Sequence, residues 1–326
     1  MSIPFGKYAR DLTWLVALGA GLWGTDALFR NSLAQRVSAP TLVFSEHLIL
    51  VLVLLPFLRR SLRAFSRLTA ASRLAVLAIG VGASAVATTL FTLSFTISAR
   101  NGDFVTPVVV QHLQPLFAIA GAVLLLGEKI RSKFAVFAVP GVVGVWLLAF
   151  PDPLDVGISR VSVVLLALSA AVLWAGGTVL GRMVAVDLEP VELTTLRFLF
   201  GLPAAAVLVW LSGDTFWVPD LRSSGAVVGL ALVPGLLAMV LYYIGLRRTA
   251  ASRATLAELA FPLTGAIVGI ALGAGSGALS WTQWTGAAVI AAAVTGLSWH
   301  EARARVQAVV PSIPAAAKRI DAPAAR

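Results

Sequence analysis

The chain contains no cysteine, which removes thiol catalysis, thiolate-held zinc, iron–sulfur ligation and disulfides together. Charge is scarce as well: 12% of the 326 residues are Asp, Glu, Lys or Arg, against about 25% in an average soluble domain. Hydrophobic residues make up 59% and the mean hydropathy is +0.91, so there is too little charge to coat a water-soluble globule. Three histidines, His47, His112 and His300, lie far apart without ligand spacing, and neither a metal site nor a cofactor is expected. No Gly-x-x-x-x-Gly-Lys-Ser/Thr run occurs, so the chain carries no motif for primary ATP coupling.

What the chain has is long apolar runs. At about 20 residues per bilayer-crossing helix, runs bounded by charge or turn signals predict ten spans, at 12–32, 40–58, 73–97, 103–126, 133–150, 159–181, 189–211, 224–246, 251–273 and 281–299. The first follows Lys7 and Arg10 as a signal peptide would, but it runs on past Asp26 to Arg30 without a small-residue cleavage site, and reads as a retained helix.

The net charge of +10 sorts onto alternate sides of these spans. One side holds Lys7 and Arg10, the run Arg59, Arg60, Arg63, Arg67 and Arg73, then Lys129, Arg131, Lys133, Arg182, Arg247, Arg248, Arg253 and the basic residues of the tail. The other holds only Arg30, Arg36, Arg100, Arg160 and Arg222. This asymmetry predicts a multi-pass protein of the cytoplasmic membrane with both termini in the cytoplasm. No aromatic residues interleave the basic run, so nucleic acid is not an expected partner. Residues 301–326, rich in Ala, Pro and Arg, read as a disordered cytoplasmic tail.

The sequence also repeats itself. Ala20-Gly21-Leu22-Trp23-Gly24 has a counterpart in Ala171-Val172-Leu173-Trp174-Ala175. Pro40 opens span 2 with His47 seven residues on, and Pro190 opens span 7 with Arg197 seven residues on. Phe95-Thr96 matches Tyr242-Tyr243, and Pro115 matches Pro262. The order is kept at offsets of 147 to 151 residues, which makes 1–150 and 151–300 two copies. Five spans per copy is odd, so the copies cross the membrane in opposite senses, with a substrate site expected between them near the midplane. The expected fold is therefore an all-α integral membrane protein: ten transmembrane helices forming two inverted five-helix repeats around a central cavity.

The Trp-Gly near the start, the prolines opening spans 2 and 7 with a polar residue seven later, Pro115 followed by Leu126-Gly127-Glu128, and Ala250-Ala251-Ser252 leading to Pro262 resemble the EamA-type repeat of the drug/metabolite transporter superfamily. The resemblance covers residues 12–299. It implies ten helices with both ends cytoplasmic, carriage of metabolites, amino acids or drugs, and a cavity surrounded by spans 1–4 and 6–9. The second copy departs from it, with Gly275-Ser276-Gly277 where the first has Gly127-Glu128. Glu128 is expected at the membrane edge, where its loss from the second copy affects a loop.

Ionisable groups deep in a span are functional candidates, because a charge at the bilayer centre costs about 2.5–3.5 kcal/mol on insertion scales. Glu46 and His47 on span 2, and Gln111 and His112 on span 4, lie roughly 10 Å below the outer face at 1.5 Å per residue; Asp26 is also in the outer half. Arg197 and Glu258 lie about 8–12 Å from the cytoplasmic face. His47 matches Arg197 and Gln111 matches Glu258, so one polar pair is written twice, and Arg197 with Glu258 is expected to form an ion pair. Glu46 and Glu258 are the candidate proton-coupling carboxylates. The candidate substrate contacts are Trp23, Asp26, His47, Thr88, Gln111, His112, Trp174, Thr178, Arg197, Tyr242 and Tyr243. For each there is a structural alternative: a register-fixing ion pair at Arg197, a wetted vestibule at Glu46, His47 and His112, and helix packing at Trp23 and Trp174. Packing also competes with cavity lining for the hydroxyl stripe Ser84, Thr88 and Thr92, which Gly80 is expected to continue, and a membrane-interface belt competes with a gate for Tyr242 and Tyr243. Pro115 and Pro262 each remove a helix hydrogen bond and are the expected hinges.

The function these features predict is a secondary active or facilitative carrier, not an enzyme. It moves a small organic metabolite, an amino acid or amine first, by alternating access, as an exporter. Its partners are the substrate, the lipid bilayer and protons, as a monomer or weak homodimer. A flippase for a lipid or lipid-linked sugar on the same fold is the alternative. A membrane-embedded lipid-modifying enzyme needs clustered carboxylates on a loop, and Asp152, Asp155, Asp214 and Asp220 are scattered.

Overall fold

The computed structural model describes residues 12–33, 36–99, 106–111, 113–128, 134–149, 152–154, 161–271 and 280–309, and among them every regular element is a helix. The first half holds α1 (Thr13–Trp23), α2 (Asp26–Leu33), α3 (Ala39–Arg67), α4 (Ala70–Ala78), α5 (Ala87–Ala99), α6 (Thr106–Gln111), α7 (Gln114–Leu126) and α8 (Phe134–Ala149). The second holds α9 (Val161–Val184), α10 (Pro190–Ser212), α11 (Leu221–Leu230), α12 (Ala238–Leu246), α13 (Ala251–Ala257), α14 (Ala260–Ala271) and α15 (Trp281–Val309). Helix occurs at each of the ten expected spans. Among the described residues, five helices are long and apolar enough to cross a membrane: Ala39–Arg67, Ala70–Ser98, Val161–Val184, Pro190–Ser212 and Leu221–Leu246.

Helix ends follow the local chemistry. Ser38 caps α3, accepting from the Thr41 N–H, with Pro40 in the first turn. α10 opens with Pro190 inside a capping box, in which the Glu192 carboxylate accepts the Glu189 N–H at 2.9 Å. Asp220 caps α11 through the Ser223 N–H and hydroxyl, both at 2.8 Å; these bonds hold its carboxyl below the usual carboxylate range. That contribution is present above the ordinary carboxylate range and fades as pH falls through the lowered value.

Three spans expected to be single helices are broken. Span 1 divides at Gly24-Thr25 into α1 and α2, where the Thr25 hydroxyl bonds the Leu22 carbonyl at 2.7 Å. Spans 4 and 9 divide at matched places, α6 ending at Gln111 and α13 at Ala257. The prolines explain both. Pro262 has no N–H to offer the Glu258 carbonyl four residues back, and the Phe261 N–H takes that carbonyl instead, at 2.9 Å. Pro115 stands in the same relation to Gln111. Each proline thus sits in the first turn of a new helix, where it is tolerated, rather than bending a continuous one.

Spans 3 and 8 are continuous but each contains a π-helical turn, Ile79–Val86 and Ala231–Leu237. The last helix runs to Val309, so the backbone of 301–309, expected to be tail, is helical; Ala, Arg and Gln favour helix and Pro311 is the next breaker. Residues 310–326 lie outside the described residues.

The helix pairing is two-fold in pattern. α1 packs on α12 as α9 packs on α5, and α14 on α1 as α7 on α9, while α3 pairs with α10 and α8 with α15. Every one of these contacts joins the two halves, so neither half buries its apolar faces alone. The largest buried cluster draws on both, with Val16, Leu50 and Ile79 from the first and Leu193, Leu196 and Tyr243 from the second. The outer surface keeps its large apolar side chains exposed, including Leu124 at 80%, Trp210 at 72% and Trp281 at 77%, as a lipid-facing surface requires.

Glu128 corrects the expectation of a loop role. Gly127 ends α7 in the left-handed region (φ 63°), and the Glu128 side chain turns inward and is buried. Its carboxylate accepts the N–H groups of Ala251 (2.8 Å) and Ser252 (3.1 Å) and the Ser252 hydroxyl (2.7 Å). The first half thereby caps a helix of the second. Glu128→Ala leaves three donors without an acceptor, and the expected cost is about 2 kcal/mol. It reads as a lowered thermal midpoint of the detergent-purified protein, with Glu128→Gln in between; an unchanged midpoint for Glu128→Ala would remove the cap from the argument.

Candidate functional site

Breaks and wide turns in membrane helices free backbone groups that must be satisfied by other partners. Here they surround one cavity between the halves. It is lined by Trp23 of α1, Asp26 and Arg30 of α2, Glu46 and His47 of α3, and Ser84, Thr88 and Thr92 of the π turn and α5. From the second half come Trp174 and Thr178 of α9, Arg197 of α10, Tyr242 of α12, and Thr255 and Glu258 at α13.

Glu258 lies at the break between α13 and α14. Its Oε1 accepts from the Tyr242 hydroxyl at 2.7 Å and the Thr178 hydroxyl at 3.0 Å, and its Oε2 from the Gln114 amide at 2.7 Å. Three helices besides its own therefore converge on one carboxylate. Tyr242 stacks on Trp23 at 5.0 Å between ring centroids, and Trp174 on Phe91 at 5.2 Å, so the matched tryptophans each head an aromatic pair.

Arg197 does not meet Glu258, and the expected ion pair is not formed. Its guanidinium donates to the Tyr243 hydroxyl and to the Ala83 carbonyl, both at 3.1 Å. That carbonyl belongs to the π turn, where the Ala87 N–H bonds Gly82 instead. Adjacent residues on a helix point about 100° apart, so Tyr242 reaches Glu258 while Tyr243 reaches Arg197.

His47 is fixed rather than free: Nδ1 lies 2.7 Å from the Val43 carbonyl and Nε2 2.9 Å from the Ser84 hydroxyl. A carbonyl only accepts, so Nδ1 donates to Val43, while Nε2 and the Ser84 hydroxyl share the second hydrogen bond. The ring packs edge-on to Phe198 at 5.2 Å and fits only because Gly201 has no side chain. A Cβ there would stand 2.6 Å from the His47 ring and 3.0 Å from the Gly80 carbonyl. Gly201→Ala is expected to destabilise the protein by about 1–3 kcal/mol, measured as a drop in thermal midpoint; a midpoint at or above wild type would contradict this packing.

Asp26 and Arg30 form a two-pronged ion pair one helical turn apart, and Arg30 also donates to Thr92 at 3.2 Å. Four buried polar atoms on the cavity wall have no partner among the described residues: Glu46 Oε2, Gln111 Oε1, Arg197 Nε and Thr255 Oγ1. Unpartnered buried polar atoms are rare in folded proteins, and these four supply both acceptor and donor character.

The profile of the EamA-like transporter family matches residues 12–150 and 161–299, which together are most of the chain. The chain belongs to that family. Among curated proteins, the riboflavin transporter ImpX of Fusobacterium nucleatum is similar at 27% identity over 263 residues, covering 78% of this chain and 86% of that one. The uncharacterized transporter YwfM of Bacillus subtilis is 28% identical over 178 residues, covering 55% of this chain and 59% of its own length. A crystal structure of a protein 22% identical in sequence superposes with a TM-score of 0.70, over 90% of this chain and 98% of that one, which is a likeness of fold. This is a multi-pass membrane protein of a transporter family, and its relatives are transporters rather than enzymes.

Of the residues singled out in the sequence, the structure brings Trp23, Asp26, Glu46, His47, Thr88, Gln111, Pro115, Trp174, Thr178, Arg197, Tyr242 and Glu258 to the one cavity. Tyr243 stands behind it, buried against Arg197. Pro262 follows the Glu258 break without lining the cavity. His112 lies outside the described residues. The stripe Ser84, Thr88 and Thr92 faces the cavity, while Gly80, expected to continue it, backs onto α10 beside Phe200 and Gly201; the π turn between them rotates the register. Three polar residues of the wall go beyond the sequence candidates: Arg30, for which Asp26 four residues earlier offers a helical partner, Gln114 beside Pro115, and Thr255 one turn before Glu258.

Proposed function

We propose that this chain is a secondary carrier that moves a small organic metabolite across the cytoplasmic membrane by alternating access. In this reading ten spans form two inverted repeats with both termini in the cytoplasm, the central cavity is the substrate site, and net movement is export by a monomer or weak homodimer. The observation that carries it is the cavity between the halves with its four unpartnered polar atoms. A ligand with hydrogen-bond donors for Glu46 and Gln111 and an acceptor for Arg197 would satisfy three of them, which suits an amino acid through its ammonium and carboxylate, or an amine at the two acceptors alone. Glu258 serves as the proton-coupling carboxylate, and the breaks before Pro115 and Pro262 are the bending points.

A second reading of the substrate is favoured by the two aromatic pairs, Trp23 with Tyr242 and Trp174 with Phe91. They suit a planar heterocycle whose edge carries alternating donors and acceptors, and a flavin, named for the relative ImpX, has that chemistry. Both readings meet one experiment. Detergent-purified protein is screened by thermal shift against amino acids, amines, organic acids, sugar phosphates and riboflavin. A ligand at a hundred times its Kd stabilises by about 2.7 kcal/mol. The expected hit stabilises wild type and fails on Trp23→Ala and Arg197→Ala; stabilisation that survives both substitutions would place the ligand outside this cavity.

A further inference from the structure

The carrier reading leaves the far end of α3 unused. This helix has 29 residues and so is about 43 Å long at 1.5 Å per residue, against roughly 30 Å for the hydrocarbon core of a bilayer. Its middle presents lipid-facing side chains, with Leu52, Val53, Leu55 and Phe57 all exposed. By this length the two to three turns beyond them extend past the hydrocarbon core, and there the sequence turns to arginine.

Arg59, Arg63 and Arg67 recur at every fourth position and share one face. All three are exposed, and none has an ion pair or side-chain hydrogen bond among the described residues. The acids nearby are already used, Glu192 by Arg60 at 2.6 Å and Glu189 by Arg247 at 3.0 Å. No acidic residue occurs between Glu46 and Asp103, so nothing local neutralises the stripe, and like charges at this spacing repel. The end of the helix is nonetheless rigid. Arg73 donates back to the carbonyls of Leu68 and Ser66, and Thr69 caps α4 through the Ser72 N–H. Leu62, on the same helix between Arg59 and Arg63, is 41% exposed, and Leu74, next to Arg73 on α4, is 68% exposed.

We propose that the Arg59–Arg63–Arg67 face of α3 is a binding site for the headgroup of an anionic phospholipid. The phosphate answers the arginines and the acyl chains cover the apolar surface beside them. A nucleic acid or an acidic peptide would answer the charge and leave Leu62 and Leu74 in water, so lipid is the partner that matches both. Attraction to an anionic membrane surface is about 1 kcal/mol per basic residue, so three arginines correspond to more than a hundredfold in affinity.

The test is native mass spectrometry of the full chain in detergent, titrated with phosphatidylglycerol, with phosphatidylcholine of the same acyl chains, and with glycerol 3-phosphate. Wild type is expected to retain phosphatidylglycerol preferentially and to bind glycerol 3-phosphate weakly. The variant with Arg59→Gln, Arg63→Gln and Arg67→Gln loses that retention by about a hundredfold, and Arg222→Gln, on the opposite side by charge sorting, leaves it unchanged. Should the triple variant not purify as a monodisperse species, Arg63→Gln and Arg67→Gln are each expected to lose about fivefold. Equal retention of the two lipids by wild type, wild-type retention by the arginine variants, an equal loss in Arg222→Gln, or glycerol 3-phosphate binding as tightly as the lipid would each overturn the proposal.

Discussion

Glu258→Gln is expected to abolish transport driven by a pH gradient while leaving exchange of ligand across the membrane intact. The carboxylate accepts three hydrogen bonds, from Tyr242, Thr178 and Gln114, so as it stands it is satisfied without a proton. Adding a proton turns one oxygen into a donor, so the partner facing it must accept instead; the Tyr242 or Thr178 hydroxyl can rotate to do so, whereas the Gln114 amide nitrogen cannot. The three partners sit on α12, on α9 and at the start of α7, which comes from the other half of the chain. In the proposed carrier, proton uptake at Glu258 re-sorts the hydrogen bonds that join these helices at the cavity, and that re-sorting is the link to coupling. Glutamine keeps the shape and cannot change protonation, so its amide holds one arrangement whatever the pH. In reconstituted vesicles, wild type should accumulate ligand after a pH jump, while Glu258→Gln should match empty vesicles after the jump and wild type in counterflow. Gradient-driven flux at the wild-type rate would remove Glu258 from coupling.

Glu46 should behave differently. Its Oε2 is buried and unpartnered, so it is poised to receive a donor from a ligand rather than from the protein. Glu46→Gln is expected to raise KM severalfold with pH-gradient coupling retained. If it instead abolished coupling and left KM alone, the two carboxylates would have to exchange roles.

The internal repeat made much of this site readable. Gln111 with Glu258 and Pro115 with Pro262 were found because the chain writes them twice, and the structure puts each proline in the same relation to a helix break. What stayed hidden depends on turns rather than on types of residue. A π turn has no hydropathy signature, so the splitting of Gly80 from Ser84, Thr88 and Thr92 was out of reach. The break at Gly24-Thr25 brings α2 with Arg30 to the cavity, although the charge sorting places Arg30 at the outer end of span 1. The Arg197–Glu258 pair rests on the repeat and on depth, and neither says which way adjacent Tyr242 and Tyr243 point. Glu128 could be placed near a membrane face from sequence, but its reach to Ala251 and Ser252 depends on how the halves pack.

Arg197 is the second residue whose replacement should have a large effect, and here the geometry separates two roles that the sequence left equal. One guanidinium nitrogen holds the Tyr243 hydroxyl and another the Ala83 carbonyl, spanning from α12 to the π turn before α5. Arg197→Met leaves both groups buried without partners. Hydrogen bonds to a charged group contribute about 1.5–3 kcal/mol each, so a loss of about 3 kcal/mol or more is expected, read as a large fall in thermal midpoint. Arg197→Lys retains the charge, but an ammonium is a point donor and cannot reproduce the planar fork, so it should recover less than half of that loss. This much is structural. The third nitrogen, Nε, is buried with no partner beside the cavity, and a purely structural arginine has no use for it. Arg197→Lys should therefore also lose the stabilisation given by a ligand that protects wild type, beyond what its lower midpoint accounts for. A lysine variant that melts early yet gains the full ligand-induced shift would confine Arg197 to holding α10 against α12 and the π turn.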